Sequence, residues 1–325
     1  ARGPAIEAAA FTTTSSAAAR RCRWPLFEAY VERFVEGGRV VDRTTGARST
    51  SEGQAYGLFL SLVAGDEALF DRIASWTRDN LLGGTWKEGL PAWLWGADGE
   101  GRWRILDSNS ATDADLWMAY AFIEGGRLFG RPDLLARGRA LLRRVLAANL
   151  RVRPGLGPTL LPGPDGFELE GGRIRLNPSY FVPAHFARFE ALGLPGPWAK
   201  IGASSARLLR ATAVDGHPPD WIVHHPERGF VSDVVEPPVS SYDAIRVPLF
   251  VALFGPRDLL EAVSGRLREF EAEGELEDVV PLTPIDEPRD SGPAPPGFYG
   301  ALLPASARRH GGTPSPALLA RLERE

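Results

Sequence analysis

The feature that most constrains the fold is a succession of helical patterns along almost the whole chain. From Pro25 onward, apolar residues recur at spacings of three and four, in segments separated by loops rich in glycine and proline. The predicted helices are 25–36, 52–64, 66–81, 112–128, 132–149, 179–192, 197–213, 240–254, 256–273, 296–308 and 314–324. Strand-like alternation is confined to short pieces such as residues 166–177, which predict a small β-hairpin.

Short and long loops roughly alternate between these helices, as expected for stacked helical hairpins. A closed ring of six hairpins would bury every apolar face without exposed ends, although an open bundle or superhelix has similar local patterns. No linker divides the chain, so residues 25–325 are predicted to form one all-α domain. The Ala/Ser/Thr-rich residues 1–24 are expected to be a loosely ordered N-terminal tail.

The composition excludes several classes of protein. Of the 325 residues, 44% are apolar and 24% charged, which is typical of a soluble globular chain. The net charge of −4, with scattered basic residues, argues against nucleic acid as a partner. Cys22 is alone, so neither an intramolecular disulfide nor a thiolate metal site is expected. No apolar run reaches the ~20 residues of a membrane span.

The start of the chain bears on its compartment. It begins at Ala1 without Met and carries no signal peptide, which agrees with a leader already removed. A cysteine-poor protein is stable in the periplasm without bridges. We therefore expect a periplasmic or secreted protein.

Three acids occupy the same position at three predicted helix starts. Glu52, Asp113 and Asp243 each follow a serine by three residues, in "STSEGQAYG", "SATDAD" and "SSYDAIR". These are the second, fourth and eighth predicted helices. In a ring of antiparallel hairpins the even helices share a direction, so their N-termini meet at one mouth. Three acids distant in sequence would then face a single cleft.

The same pattern also has a purely structural interpretation. A serine followed three residues later by an acid caps a helix, and the helix dipole favours acids in the first turn. Thr212 to Asp215 matches the pattern with no obvious site. Neighbouring residues favour a site: Gly53 and Gly57 would let a ligand approach the backbone, and Tyr242 and Arg246 flank the third acid. Both interpretations remain open from the pattern alone.

Tryptophans are concentrated in one loop region. Trp86, Trp93, Trp95 and Trp103 lie close together in "GGTWKEGLPAWLWGADGEGRW". Such residues act either as plugs of the hydrophobic core or as flat platforms on which sugar rings stack. The pattern does not separate these two roles.

Other chemistries lack the residues that they need. His224 and His225, with His217, lie in a proline-rich loop without the i, i+4 spacing of a helical zinc site. The chain has no G-x-S-x-G nucleophile elbow and no glycine-rich phosphate motif. We therefore expect no metal and no cofactor.

Five motifs in order resemble glycoside hydrolase family 8: "TSEGQAYGLF", "LPAWLWG", "DSNSATDADLWMAYAFIEGGRLF", "NPSYF" and "SSYDAIRVPLF". The resemblance extends from about Gly38 to Pro304 and is closest to the endo-β-1,4-glucanases encoded with bacterial cellulose synthases. It implies an (α/α)6 barrel and an inverting hydrolysis of β-1,4-linked glycans.

The resemblance also implies residue roles. Glu52 matches the proton donor, Asp243 the base of the cellulase subgroup, and Asp113 the aspartate that holds the sugar at the cleavage point. The remaining matches line the substrate site: Tyr180, Tyr242, Arg246 and, as a stacking platform, Trp93. The implied substrate is a β-1,4-glucan or cello-oligosaccharide, with a functional link to a cellulose synthase complex and a monomeric chain.

Two alternatives and one departure accompany this interpretation. The chain could be a chitosanase or xylanase of the same family, or a non-catalytic glycan-binding component of polysaccharide export. Family members usually end with a further helix rich in aromatic residues, whereas eleven helices are predicted here. The last helix of the ring is therefore expected to be missing, or replaced by the N-terminal tail.

Inversion needs two carboxyl groups in opposite protonation states. A helix N-terminus lowers the pKa of Glu52, so we expect the charge of Asp113, roughly 4–6 Å away, to raise it again. Arg246 is expected to hold Asp243, whose carboxyl group should lie roughly 6.5–9.5 Å from that of Glu52. Asp115 lies about 200° around the helix from Asp113 and is not expected to share the site.

Overall fold

The computed structural model describes residues 24–233, 235, 238–283 and 291–324. Cys22 and the predicted tail, apart from Trp24, lie outside the described residues. Twelve α-helices occur in the described residues. They are α1 Pro25–Phe34, α2 Ser51–Ala64, α3 Glu67–Leu81, α4 Thr112–Leu128, α5 Pro132–Asn149, α6 Pro183–Ala191, α7 Trp198–Thr212, α8 Arg246–Phe254, α9 Arg257–Ala262, α10 Gly265–Glu273, α11 Pro296–Arg309 and α12 Pro316–Glu323. Each of them is too short or too polar to cross a bilayer.

Short antiparallel strands connect the helices. They are β1 Val35–Glu36, β2 Arg39–Val40, β3 Ser49–Thr50, β4 Leu94–Ala97, β5 Trp103–Asp107, β6 Leu150–Arg153, β7 Gly157–Leu160, β8 Ile174–Leu176, β9 Ile222–His225, β10 Gly229–Ser232, β11 Val239–Ser240 and β12 Val280–Pro281. Two of the sheets have three strands, in the orders β3-β4-β5 and β10-β9-β8. The hairpin expected at 166–177 is present, since the Leu169 amide donates to the Arg173 carbonyl and Arg175 to Phe167.

The helices alternate between two layers. Helices α2, α4, α6, α8 and α11 are successive neighbours, and α3, α5, α7, α9, α10 and α12 pack against them. The sequence of each helix matches its layer: α4 is buried almost all round, whereas α5 buries one face only. Two alternating layers of this kind are typical of an α/α barrel, and one hydrophobic cluster extends through them from Phe27 to Leu318.

Glycines allow the closest helix contact, between α4 and α5. A Cβ atom on Gly138 would lie 2.7 Å from Ile123 Cγ1 and 2.8 Å from the Ala119 carbonyl oxygen. A Cβ atom on Gly126 would lie 2.6 Å from the Leu135 backbone nitrogen. Larger residues at these positions would push apart the helix that carries Asp113 and its outer partner.

One predicted helix begins at a different residue. Segment 240–254 is helical only from Arg246, because β11 pairs with β12 and the following residues form a turn. The Asp220 carboxylate holds this turn by accepting hydrogen bonds from the backbone amides of Ser241 (2.9 Å) and Ala244 (2.8 Å). Asp243 therefore lies before α8. The prediction that it lies in the first turn of this helix was wrong.

Two other predicted helices are interrupted. Segment 256–273 divides into α9 and α10 near Ser264, where the Gly265 amide donates to the Gly216 carbonyl. Segment 179–192 becomes a 3₁₀ turn, Pro178–Tyr180, followed by α6, whose first residue is Pro183. The twelfth helix thus arises inside the chain, so the expected count of eleven was wrong. The expectation about a missing closing helix stays a prediction.

We predict that Gly138→Ala lowers the free energy of unfolding by roughly 1–3 kcal/mol, because the new methyl group overpacks the α4–α5 contact. Gly300→Ala on α11 is the matched control, since no atom lies within 4 Å of a Cβ at that position. The control should be neutral or stabilising by up to ~1 kcal/mol, because alanine favours the helix. Denaturant unfolding of both variants checks this, and equal stability of the two would contradict it.

Candidate active site

None of the three serines caps the helix that it precedes. The N-cap of α2 is Thr50, whose Oγ1 accepts from the Gly53 amide at 3.1 Å, while Ser49 donates to the Val40 carbonyl. Helix α4 has no side-chain cap, and α8, which begins at Arg246, has none either, since Ser240 lies in β11. The capping interpretation of the three serines is therefore wrong.

Arg246 connects the second and third acids. Its Nη2 lies 2.5 Å from Asp243 Oδ1, and its Nη1 lies 3.4 Å from both Asp113 Oδ2 and the Tyr56 hydroxyl. Asp113 is almost fully buried, and its Oδ1 accepts from the Ala114 amide at 2.8 Å. Asp243 is also held from a distant loop, because Asn177 Nδ2 donates to its Oδ2 at 2.8 Å. The sequence expectation that Arg246 holds Asp243 matches this contact.

Glu52 faces an open cavity of about 330 Å³ that Trp93 and Tyr180 also line. Its Oε2 accepts a hydrogen bond, at 3.2 Å, from the Ser51 hydroxyl. Its own backbone amide and the Thr50 hydroxyl also stabilise the ionised form, as expected at the N-terminal end of a helix.

The pKa of Glu52 and that of Asp113 are both raised. For Glu52 the largest cause is burial, which the positive charge of Arg246 partly offsets. For Asp113 burial again comes first and the charge of Glu52 second. Two such groups titrate as a pair and do not both ionise readily. The predicted direction for Glu52 is correct, but burial and not a like charge is its main cause.

A pair of stacked aromatic rings lines the cavity together with Trp93. The rings of Phe167 and Trp221 stack with centroids 5.9 Å apart and planes within 5°, and the Arg175 guanidinium lies 3.9 Å from the Trp221 centroid. All of these residues line the same cavity as Glu52. Parallel aromatic faces beside paired acids suit a flat sugar ring.

The other loop tryptophans have structural roles. Trp86 packs edge-on against the core residue Phe122, with centroids 4.9 Å apart. Trp95 stacks on Trp103 at 4.9 Å, and the Arg39 guanidinium lies 4.6 Å from both rings. Of the four clustered tryptophans, only Trp93 lines the cavity.

Tyr242 and Asp115 stand apart from the hydrogen-bond network of the acids. The Tyr242 hydroxyl donates to Asp278 Oδ2 at 3.3 Å, and its half-exposed ring packs edge-on against Phe298. Asp115 is fully buried. Burial, with a smaller contribution from the charges of Asp113 and Glu52, raises the pKa of Asp115, and a hydrogen bond from the Ser110 hydroxyl partly offsets this rise.

Sequence reasoning missed several residues of the site. Tyr56 could have been found, because it lies four residues after Glu52 on the same helix. Asn177 belongs to the motif "NPSYF", in which only Tyr180 was singled out. No local pattern pointed to Phe167, Arg175 or Trp221.

A two-layered helical barrel with buried acids beside an aromatic-walled cavity defines the class of glycoside hydrolases. The chain belongs to glycosyl hydrolases family 8, whose model matches residues 5–271. An endoglucanase from Xanthomonas axonopodis pv. citri (strain 306) is 44% identical over 307 residues, covering 91% of this chain and 78% of that protein. An endoglucanase from Escherichia coli (strain K12) is 39% identical over 290 residues, covering 87% and 77%.

Solved structures agree with this assignment. The endo-1,4-D-glucanase from Vibrio fischeri ES114 is 34% identical with a TM-score of 0.83, covering 93% of this chain and 87% of that chain. An endo-β-1,4-glucanase from Acetobacter xylinum is 27% identical with a TM-score of 0.76, covering 92% and 96%. These relatives confirm the predicted (α/α)6 class and make the chain a glycoside hydrolase of the endoglucanase class.

We predict that Glu52→Gln stabilises the protein at high pH. The pKa of Glu52 is higher in the folded than in the unfolded protein. The contribution of Glu52 to the free energy of unfolding is therefore fully present below about 4.3, the ordinary glutamate pKa, and is lost as the pH rises through the folded-state pKa. Glutamine carries no charge, so the variant does not undergo this loss. The melting temperature of the variant relative to the parent should therefore increase from pH 4 to pH 8. A difference that stays constant across this range would contradict the raised pKa.

Proposed function

We propose that this chain is an endo-acting, inverting β-1,4-glucanase that cleaves cellulose-like chains, with Glu52 as general acid and Asp243 as general base. One observation carries the proposal: Arg246 binds Asp113 and Asp243, while Glu52, whose pKa is raised by burial, faces the cavity. This arrangement favours opposite protonation states for the acid and the base, as inversion requires.

We assign the shared proton to Glu52, because its carboxyl group faces the cavity and burial raises its pKa. The Ala114 amide and Arg246 both donate to Asp113 and so stabilise its ionised form, against the burial and the charge of Glu52 that raise the pKa of Asp113 to about 7. Bound substrate takes the proton from Glu52.

The reaction then proceeds in one displacement. Glu52 transfers its proton to the glycosidic oxygen while the bond between that oxygen and C1 breaks. A water molecule attacks C1 from the opposite face and gives a proton to the ionised Asp243. Asp113, negatively charged beside the sugar, stabilises the positive charge that develops on the ring. The new reducing end is released as the α-anomer.

The aromatic residues of the cavity bind the glucan chain. Trp93 and the stacked pair of Trp221 and Phe167 offer faces for successive sugar rings. The relatives described above are endoglucanases, which favours glucan over chitosan or xylan. The Glu52 carboxyl group in the cavity and the network that joins Asp113 and Asp243 through Arg246 argue against a non-catalytic glycan-binding role.

The cellular role is a further part of the proposal. The resemblance of the motifs to glucanases encoded with cellulose synthases supports a monomeric enzyme that acts in the periplasm, or after secretion, in connection with cellulose synthesis. Fractionation of cells, together with cellulose yield from a strain lacking the gene, would test this role.

We expect Glu52→Gln to lower kcat by about 10²–10⁴-fold with little change in glucan affinity, because the amide keeps the shape but has no proton to transfer. Hydrolysis of mixed-linkage β-glucan and binding of cellopentaose are the measurements. The exposed Glu88→Gln, in the loop before Trp93, is the matched control and should retain full activity. A near-normal rate for Glu52→Gln would remove it from the mechanism.

Trp93→Ala should weaken the binding of long cello-oligosaccharides without moving the pH profile, because it removes a stacking face and no ionisable group. Trp86→Ala is the control: its ring packs against Phe122, so the loss should appear in thermal stability and not in affinity. Isothermal titration with oligosaccharides of increasing length distinguishes the two. If Trp93→Ala lowered stability and left affinity unchanged, Trp93 would be a core residue.

A further inference from the structure

Asn177 lies at the end of β8, fully buried, and touches the proposed base. Its Nδ2 donates to Asp243 Oδ2 at 2.8 Å. Its Oδ1 accepts from the Ser179 amide at 3.0 Å and from the Ser179 hydroxyl at 2.7 Å. Every polar atom of the Asn177 amide group is therefore engaged.

The two bonds from Ser179 determine which way the amide points. An oxygen that accepts from two donors cannot exchange places with the NH₂ group, so the NH₂ group must face Asp243. Asn177 is also the N-cap of the 3₁₀ turn Pro178–Tyr180, and Tyr180 lines the cavity with Glu52. The same side chain thus links the base to the cavity wall.

From this geometry we infer that Asn177 is a positioning residue for general-base catalysis, an inference that rests on the proposed role of Asp243. Asp243 belongs to a turn and has no helix to orient it. Arg246 binds its Oδ1 and Asn177 binds its Oδ2, so the plane of the carboxylate is held at both oxygens. One lone pair remains on each oxygen, and the orientation of that plane decides where the attacking water binds.

The donor function of Asn177 can be separated from its capping function. Capping uses only Oδ1, which both serine and aspartate can replace as helix caps. Asn177→Ser keeps the cap but is too short to reach Asp243. Asn177→Asp keeps both the cap and the shape, but it places a second carboxylate against the base. When that new carboxyl group is protonated at low pH, it can donate to Asp243 again.

The test is the pH dependence of kcat and KM for cellopentaose in these two variants. We expect Asn177→Ser to lower kcat by about 10–100-fold at every pH, with KM within about threefold, because the base is misplaced while the sugar still binds. Asn177→Asp should show the same loss near pH 8 and recover most of the activity near pH 5. Glu88→Gln, an exposed residue in the loop before Trp93, is the control and should stay within about threefold of the parent.

The results also separate this inference from the proposed function. If Glu52→Gln is inactive while Asn177→Ser turns over normally, only the positioning role of Asn177 is wrong. If both are fully active, the assignment of the acid and base fails as well. An equal loss in both Asn177 variants at all pH values, together with a lower melting temperature, would show that Asn177 serves the fold alone. Should Asn177→Asp not fold, Asn177→Ser decides the question by itself. A fall in kcat with KM nearly unchanged supports the positioning role, and an unchanged kcat overturns it.

Discussion

The site depends on one partly buried guanidinium group. Arg246 lies between Asp113 and Asp243 and also contacts Tyr56. Burial alone would lower the pKa of Arg246, but the neighbouring Tyr56, Asp113 and Asp243 outweigh it and the pKa is raised. Without this positive charge, acids so close together would take up protons, because a low-dielectric site does not tolerate several negative charges. Arg246 therefore lets ionised carboxylates persist in the site.

The difference between the acids follows from their hydrogen bonds and not from their residue types. Glu52 and Asp113 both lie in the first turn of a helix, where the dipole favours the ionised form. Asp113 receives the Ala114 amide and Arg246, whereas Glu52 receives its own backbone amide and the hydroxyl groups of Ser51 and Thr50. Burial raises the pKa of both, and the charge of Glu52 raises that of Asp113 further, so the two carboxyl groups do not both ionise readily.

Packing of the helices brings these groups together. Helix α4, which carries Asp113, is surrounded by α2 on one side and α5 on the other. The contact with α5 requires Gly138, and the contact with α2 includes the edge-on pair of Trp117 and Tyr56. Asp243 reaches the same point from a turn that Asp220 and Asn177 hold. A rigid helical pair and a hydrogen-bonded turn therefore meet at Arg246.

The sequence by itself determined the helices with strong 3.6-residue periodicity, the helix-start positions of Glu52 and Asp113, and the family motifs. Each of these depends on residues within a few positions of one another, so the pattern is legible locally. Only the tertiary structure decided that Asp243 belongs to a turn, because Asp220 lies 23 residues before it and the β12 partner of β11 lies about 40 residues after. It likewise decided that Trp93 lines the same cavity as Trp221, while Trp86 packs against Phe122 and Trp95 stacks on Trp103. Contacts between distant segments leave no spacing in the sequence, and these contacts orient Asp243 and build the aromatic lining of the cavity.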